Sequence, residues 1–103
     1  MLKSPSGLSS ASVTTLDVHL DNWLRRYGSP GSDRVDAGTV AQVLDVLESR
    51  YPGLRFKIRD ESGSLRPYVR VFVDGEDISG STGAETSVDG AHTIDILHSI
   101  AGG

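Results

Sequence analysis

One segment with helical periodicity, flanked on both sides by segments with strand periodicity, constrains the fold of this chain most strongly. From residue 40 onward, apolar residues recur at i, i+3, i+4 and i+7, which is the spacing of one face of an α-helix. Thr39 is the expected N-cap, and Pro52-Gly53 should end the helix because proline disfavours helical geometry in the residue before it. The apolar stripe consists of Val40, Val43, Leu44 and Leu47, with Tyr51 extending it.

Before the helix, residues 14–20 alternate between apolar and polar side chains. Leu16, Val18 and Leu20 are separated by single polar residues, and this period of two predicts a half-buried strand. The turn-forming run GSPGS follows, and residues 34–37 are expected to form a second strand antiparallel to the first.

After the helix, the segment PYVRVFVDGEDI carries the strongest strand pattern in the chain. Val69, Val71 and Val73 point to one face, and Asp74-Gly75 predicts a two-residue hairpin because a type I′ turn needs positive φ at both positions. Residues 76–78 should return as a short strand. Residues 93–97 are predicted to form the last strand, with Ile94 and Ile96 on one face.

The resulting order is two strands, one helix and three strands, and one helix can cover only one face of a sheet. The sequence therefore predicts an α+β domain in which a mixed sheet of four to five strands packs on one helix. If the last strand lies beside the first, this is the β-grasp (ubiquitin-like) fold. We expect the domain to span residues 13–103, after a flexible tail over 1–12 that is rich in serine, glycine and proline.

Composition excludes several classes of function. The chain has 103 residues, no cysteine, and 14 acidic against 10 basic residues. Without cysteine there is no disulfide, cysteine-type zinc site, iron–sulfur cluster or thiol nucleophile. The acidic balance argues against non-specific binding to nucleic acid or anionic membrane. No apolar run approaches a membrane span, and no secretory signal is evident, so we expect a cytoplasmic monomer.

No arrangement of residues predicts a catalytic, metal or cofactor site. His19, His92 and His98 are far apart in sequence, without the i, i+4 spacing of a helical metal site, although His98 could approach a carboxylate. Neither a G-x-S-x-G elbow nor a phosphate-binding loop is present. The adjacent carboxylates at 60–61 and 76–77 cannot work as a pair if they lie on strands, because neighbours there point to opposite faces.

Charge is distributed unevenly along the chain. Residues 71–103 contain six acidic residues and no basic one. This segment is interpreted either as a solvated face that keeps the protein in solution or as an acidic docking surface for a basic partner.

The predicted last strand is followed by residues 98–101, and the chain then ends in Gly102-Gly103. Two residues without Cβ make a thin, flexible peptide that can enter a narrow channel and present its carboxylate to a remote active site. The alternative is an ordinary frayed terminus.

Three segments, TVAQVLDVLESRYPGL, LRPYVRVFVDGEDI and SIAGG, resemble the MoaD/ThiS family of ubiquitin-like sulfur carriers, with the CysO-type branch the most similar. The resemblance covers residues 13–103. It implies a β-grasp fold and a carrier rather than an enzyme. It also implies that the carboxylate of Gly103 is adenylated by an ATP-using activating enzyme, which consumes the ATP. Sulfide or a persulfide then displaces AMP to leave a thiocarboxylate, which a partner synthase uses as its sulfur source.

The resemblance also assigns roles within the tail. Gly102 keeps the tail thin, while Ala101, Ile100 and Leu97 are expected to contact partner enzymes through small or apolar side chains. Three places depart from the family pattern, one of them the degenerate segment 80–84. Residues 90–93 replace an acidic turn that family members often carry, and His98 stands where they often have proline.

Three alternatives to a CysO-like carrier share the same fold. The chain could be a modifier conjugated to lysines through Gly103, as ubiquitin is. It could be the small subunit of molybdopterin synthase, delivering sulfur to a pterin. It could also be a β-grasp interaction module with an inert tail.

Overall fold

The computed structural model describes residues 14–79 and 83–98, which form a five-stranded mixed sheet covered on one face by an α-helix. The tail predicted over residues 1–12 lies outside the described residues. The strands are β1 (Thr14–Leu20), β2 (Ser32–Ala37), β3 (Val69–Val73), β4 (Glu76–Asp77) and β5 (Thr93–His98), and the helix α1 is Val40–Arg50. Short 3₁₀ helices span Asn22–Tyr27, Pro52–Leu54 and Gly83–Glu85.

The strand order in the sheet is β2-β1-β5-β3-β4. β1 and β5 run parallel, with Val18 opposite Ile94, and the other neighbouring pairs are antiparallel. The last strand thus lies beside the first, which confirms the predicted β-grasp topology. It also places β5 at the centre of the sheet, so the chain leaves the fold from its middle strand.

The core lies between α1 and the sheet. The four aliphatic residues of the predicted helix stripe are buried and Tyr51 is partly buried. The inward-facing residues of the strands are buried as well, because burying apolar surface is the main favourable contribution to folding. The inward strand residues include Leu16, Val18, Val35, Val71, Ile94 and Ile96.

Local sequence signals set the limits of α1. The Thr39 hydroxyl accepts the Gln42 N–H at 3.2 Å, and the Gln42 side-chain oxygen accepts the Gly38 N–H at 2.6 Å. Together these bonds satisfy otherwise unpaired groups at the helix start, as in a capping box. The helix ends at Arg50, ahead of Pro52, as predicted.

The turn between β3 and β4 also follows from its sequence. Asp74 and Gly75 have φ values of 50° and 86°, so both lie in the left-handed region that a type I′ turn requires.

Two segments that connect the strands adopt structure that the pattern of apolar and polar residues did not predict. The first 3₁₀ helix, Asn22–Tyr27, was not predicted, although Asp21 caps its start and Gly28 ends it with φ 95°. Residues 55–58 form an irregular turn rather than an extended strand, and Arg59–Leu65 is an isolated bridge. Phe56 has φ 64° there, a conformation that is rare for a bulky residue.

Candidate functional site

The candidate site is the place where the chain leaves the sheet. β5 ends at His98, and residues 99–103 follow. Of the predicted site residues, Gly103, Gly102, Ala101 and Ile100 lie outside the described residues, and Leu97 lies within them. The geometry of the site is therefore that of the tail's base.

Asp21 joins the end of β1 to the end of β5. Its carboxylate accepts the His98 backbone N–H at 2.7 Å, and its own N–H donates to the Ile96 carbonyl at 2.9 Å. A carboxylate that accepts a backbone N–H makes a strong, charge-assisted hydrogen bond. These bonds hold the end of β5 against the end of β1, so the fold fixes the position of His98, the residue before the tail.

Four aromatic side chains surround the base of the tail. We call Trp23, Tyr27, Tyr68 and His98 the exit cluster. His98 stacks on Trp23 with ring centroids 4.4 Å apart and planes at 21°. Tyr68 meets both rings edge-on, at 5.3 Å from His98 and 5.6 Å from Trp23. Tyr27 lies edge-on to Trp23 at 5.7 Å. Offset-stacked and edge-to-face pairs each contribute about 0.5–1.5 kcal/mol beyond area burial.

The exit cluster was missed in the sequence because its members lie on three separate segments. The available signal was local: Asp21 as an N-cap and Gly28 as a C-cap predict a short helix that carries Trp23 and Tyr27. The expected approach of His98 to a carboxylate does occur, but through its backbone N–H rather than its imidazole.

Leu97 lies on the open face of the sheet, which α1 does not cover. Its side chain is 42% exposed, although it belongs to the central strand. Arg70 is directly opposite on β3, and Phe72 shares this face one pair further along. An exposed apolar residue beside the base of the tail is accessible to a partner, and the contact role of Leu97 stays a prediction.

Asp74 fixes the other end of β5. Its Oδ1 accepts the backbone N–H groups of His92 and Thr93, both at 2.9 Å. These two backbone bonds, Thr93 first, hold the pKa of Asp74 below its ordinary value. Asp77 likewise binds Ser79 and lies 3.7 Å from Arg70. Two carboxylates of the acidic segment 71–103, those of Asp74 and Asp77, therefore make contacts within the fold.

Among residues 14–79 and 83–98, no group of three or more histidine, aspartate or glutamate side chains is placed to hold a metal ion. The adjacent acids at 60–61 do not form a working pair, since Asp60 accepts hydrogen bonds from Ser62 and Ser64 of its own loop. In the same part of the chain, no helix is long and apolar enough to cross a membrane.

Comparison with known proteins shows what this arrangement is similar to. The model of the ThiS family matches residues 31–103. Sulfur carrier protein CysO of Mycobacterium tuberculosis is 31% identical over 78 residues, which is 74% of this chain and 84% of CysO. Small archaeal modifier protein 3 of Haloferax volcanii is 32% identical over 68 residues, covering 66% of this chain and 73% of that protein.

Solved structures give the same result for the fold. The Amycolatopsis orientalis BexX/CysO complex contains a chain with a TM-score of 0.73 and 33% identity, covering 85% of this chain and 99% of that one. M. tuberculosis CysO has a TM-score of 0.71 at 29% identity, covering 82% and 99%. The small archaeal modifier protein 1 of Methanosarcina acetivorans, at 23% identity with a TM-score of 0.73 over 88% and 98%, supports the fold alone.

Proposed function

This chain belongs to the ThiS family of ubiquitin-like sulfur carriers, and from that premise we propose that Gly103 is the residue on which it carries sulfur. The observation that carries the proposal is that the family match runs from residue 31 to Gly103 and so includes the Gly-Gly end. Related proteins of this size are carriers and modifiers, and we propose the same here: a co-substrate of partner enzymes, with no cofactor of its own.

The proposed chemistry takes place on the main chain. In the activating enzyme, a carboxylate oxygen of Gly103 attacks the α-phosphorus of ATP and pyrophosphate leaves, which forms an acyl adenylate. Sulfide then attacks the carbonyl carbon, the bond to the phosphate oxygen breaks, and AMP leaves. One carboxylate oxygen has thereby been replaced by sulfur. If the donor is a persulfide, a thiol must reduce the resulting S–S bond.

A carrier of this kind needs no cysteine, because the thiocarboxylate supplies the nucleophilic sulfur. The chain's own contribution is positioning. Asp21 and the exit cluster hold the last residue of β5, so the tail starts from a fixed point. Gly102 would keep the tail thin, while Leu97 on the open face, with Ile100 and Ala101 in the tail, would contact the partner.

The proposed acceptor is a synthase of cysteine or thio-metabolite biosynthesis, which is the CysO-like role. Two observations support this choice over other carriers. CysO of M. tuberculosis is 31% identical, and a CysO has been solved in complex with BexX. We place the reaction in the cytoplasm, where ATP and the activating enzyme are available.

A second candidate is a protein modifier joined to lysines through Gly103. The observation that favours it is the 32% identity to small archaeal modifier protein 3. Both roles begin with the same adenylate and differ in the nucleophile that attacks it. Because Arg70 is the last site for trypsin in this chain, tryptic peptides whose lysine carries residues 71–103 through Gly103, found only in cells that express the chain, would support conjugation.

Intact-mass spectrometry tests the proposal. The purified chain is incubated with the activating enzyme of its own organism, ATP and sulfide, and replacement of oxygen by sulfur should add about 16 Da. A variant lacking Gly102 and Gly103 should show no increment while keeping the circular dichroism spectrum of the wild type. A wild-type chain that is never adenylated, or adenylated without gaining sulfur, would contradict the proposal.

A further inference from the structure

The basic residues of this chain fall into two groups. Four arginines are paired with carboxylates: Arg34 with Asp17 at 3.0 Å, Arg50 with Asp33 at 2.8 Å, Arg59 with Asp45 and Glu48 at 2.8 and 3.0 Å, and Arg70 with Asp77 at 3.7 Å. The other five basic residues in 14–79 and 83–98 make no ion pair within those ranges. We call them the basic rim: Arg25, Arg26, Arg55, Lys57 and Arg66.

The basic rim is brought together by the fold. Arg25 and Arg26 lie in the last turn of the first 3₁₀ helix, and the other three lie on the loop that follows the second. The two segments meet closely at Gly53, where a Cβ would lie 2.2 Å from the carbonyl oxygen of Tyr27. Across the same contact, Lys57 Nζ lies 4.8 Å from the centroid of the Tyr27 ring.

The basic rim adjoins the base of the tail. Tyr27 contacts Trp23, and Trp23 stacks on His98, so an unbroken series of ring contacts joins Lys57 to the last residue of β5. A partner that takes up the tail at residue 99 would therefore have this surface directly beside its entrance. The carboxylate of Asp21, which lies at this entrance, accepts the His98 N–H.

Phe56 lies between two residues of the basic rim in the chain and also borders the acidic Glu48 and Asp60. Its side chain is 48% exposed, and its φ of 64° is strained for an aromatic residue. Arg66 Nε donates to the Phe56 carbonyl at 2.8 Å, and the guanidinium carbon of Arg55 lies 5.5 Å from the ring centroid. Strained backbone concentrates at functional sites, and aromatic residues and arginine are enriched in protein interfaces.

We propose that the basic rim and Phe56 form a docking surface for an acidic face of the enzyme that receives the tail. The chain has 14 acidic residues for 10 basic ones, yet within residues 14–79 and 83–98 these five cations, on two adjoining segments, make no ion pair. A protein partner suits a patch of this size, whereas the net charge of −4 opposes a long polyanion such as RNA. The partner's identity rests on the proposed function, which names the activating enzyme.

Isothermal titration calorimetry with the purified activating enzyme, without ATP, tests the docking surface. Arg25→Glu and Lys57→Glu should each weaken binding about three- to tenfold at low salt, and the difference from wild type should shrink at high salt. Arg34→Glu makes the same change of charge at an exposed arginine of β2 that does not belong to the rim, and it should bind within about twofold of wild type. Circular dichroism checks that each variant is folded.

A photo-crosslinking amino acid at position 56 provides a second measurement, since it does not depend on charge. It should attach to acidic peptides of the enzyme, whereas the same group at Glu76, on the exposed β4 edge, should not. If both rim variants bind the enzyme as tightly as the wild type does, the proposal is overturned. It is also overturned if the rim variants lose binding to a labelled RNA 20-mer but keep their binding to the enzyme. Binding of wild type without pyrophosphate release would contradict the proposed function alone. Absence of binding by wild type would overturn both.

Discussion

His98 and Trp23 lie face to face at the point where the chain leaves its sheet, with ring centroids 4.4 Å apart. His98 is the last residue of the central strand, and Trp23 belongs to a short helix that begins after the neighbouring strand. The stack joins two elements that are far apart in sequence. It therefore makes the base of the tail part of the folded domain rather than part of the tail.

Replacement of Trp23 should loosen the base of the tail. Trp23→Ala removes the stack on His98 and the edge contact with Tyr68, and we expect it to lower the free energy of unfolding by about 2–4 kcal/mol. Hydrogen exchange at the His98 amide should speed up more than exchange at Ile96, which lies inside the sheet. Trp23→Phe keeps an aromatic ring and should lose about half as much stability. Equal acceleration at both amides would show that the stack has no local role.

Gly53 should tolerate no side chain. A Cβ at this position would lie 2.2 Å from the backbone oxygen of Tyr27, which cannot move without shifting the first 3₁₀ helix. We expect Gly53→Ala to reduce the free energy of unfolding in chemical denaturation by about 1–3 kcal/mol. Gly31→Ala is the matched control, because nothing lies within 4 Å of its added Cβ. A Gly53→Ala variant as stable as that control would contradict the close approach.

Much of the fold could be predicted from the sequence because its determinants are local or periodic. The Val40 stripe, the Thr39 cap and the Asp74-Gly75 turn each depend on residues within about two helical turns of one another. The number of elements predicted a mixed sheet covered by one helix, whereas the position of the last strand beside the first stayed conditional until the resemblance to the MoaD/ThiS family implied it.

The tail's surroundings could not be predicted in the same way. The contact between Trp23 and His98 depends on β1 and β5 being neighbours, and nothing in either segment alone indicates it. The charge balance is a similar case. Counting charges along the chain drew attention to the acidic residues 71–103, whereas the ion pairs in the described part of the chain leave out the five cations of the basic rim.

Low pH should reduce the free energy of unfolding partly through protonation of Asp33. The Tyr51 hydroxyl, which donates to this carboxylate at 2.6 Å, is the largest cause of its lowered pKa, with Arg50 and the Arg34 N–H adding to it and burial opposing it. Because the folded pKa lies below the unfolded one, the stabilisation is complete above the ordinary value and is lost as pH falls through the folded pKa. The affected range is therefore below about pH 4.

Tyr51→Phe tests this assignment. Without the hydroxyl, the pKa of Asp33 should rise toward its ordinary value, and stability should depend less steeply on pH below about 4. Carbon-detected NMR titration of the Asp33 carboxyl measures the first effect, and urea unfolding at several pH values measures the second. Asp60 is a useful internal reference, since its pKa is lowered by Ser62 in a separate loop and should not change.

Arg59 anchors the loop that presents Phe56. Its side chain is 13% exposed, and its guanidinium binds Glu48, whose side chain is 17% exposed, as well as the largely exposed Asp45. Arg59→Gln would leave Glu48 poorly solvated without its partner, so we expect a loss of about 1–3 kcal/mol in the free energy of unfolding. Asp45→Asn removes only the exposed partner and should cost less than about 1 kcal/mol. Limited proteolysis should cleave the 55–66 loop faster in the first variant; equal stability of the two variants would disprove the anchoring.

Leu97 and Ile96 are neighbours in β5, and their replacement by alanine should change stability by different amounts. Ile96 faces α1 and is buried, so Ile96→Ala should cost about 2–5 kcal/mol of stability. Leu97 faces solvent on the other side of the sheet, so Leu97→Ala should cost less than about 1.5 kcal/mol and leave the fold intact.

If Leu97 contacts the activating enzyme, its loss should raise the KM for the carrier about tenfold with little change in kcat. Pyrophosphate release at increasing carrier concentration measures both constants. An unchanged KM would remove Leu97 from the interface without affecting the assignment of Gly103.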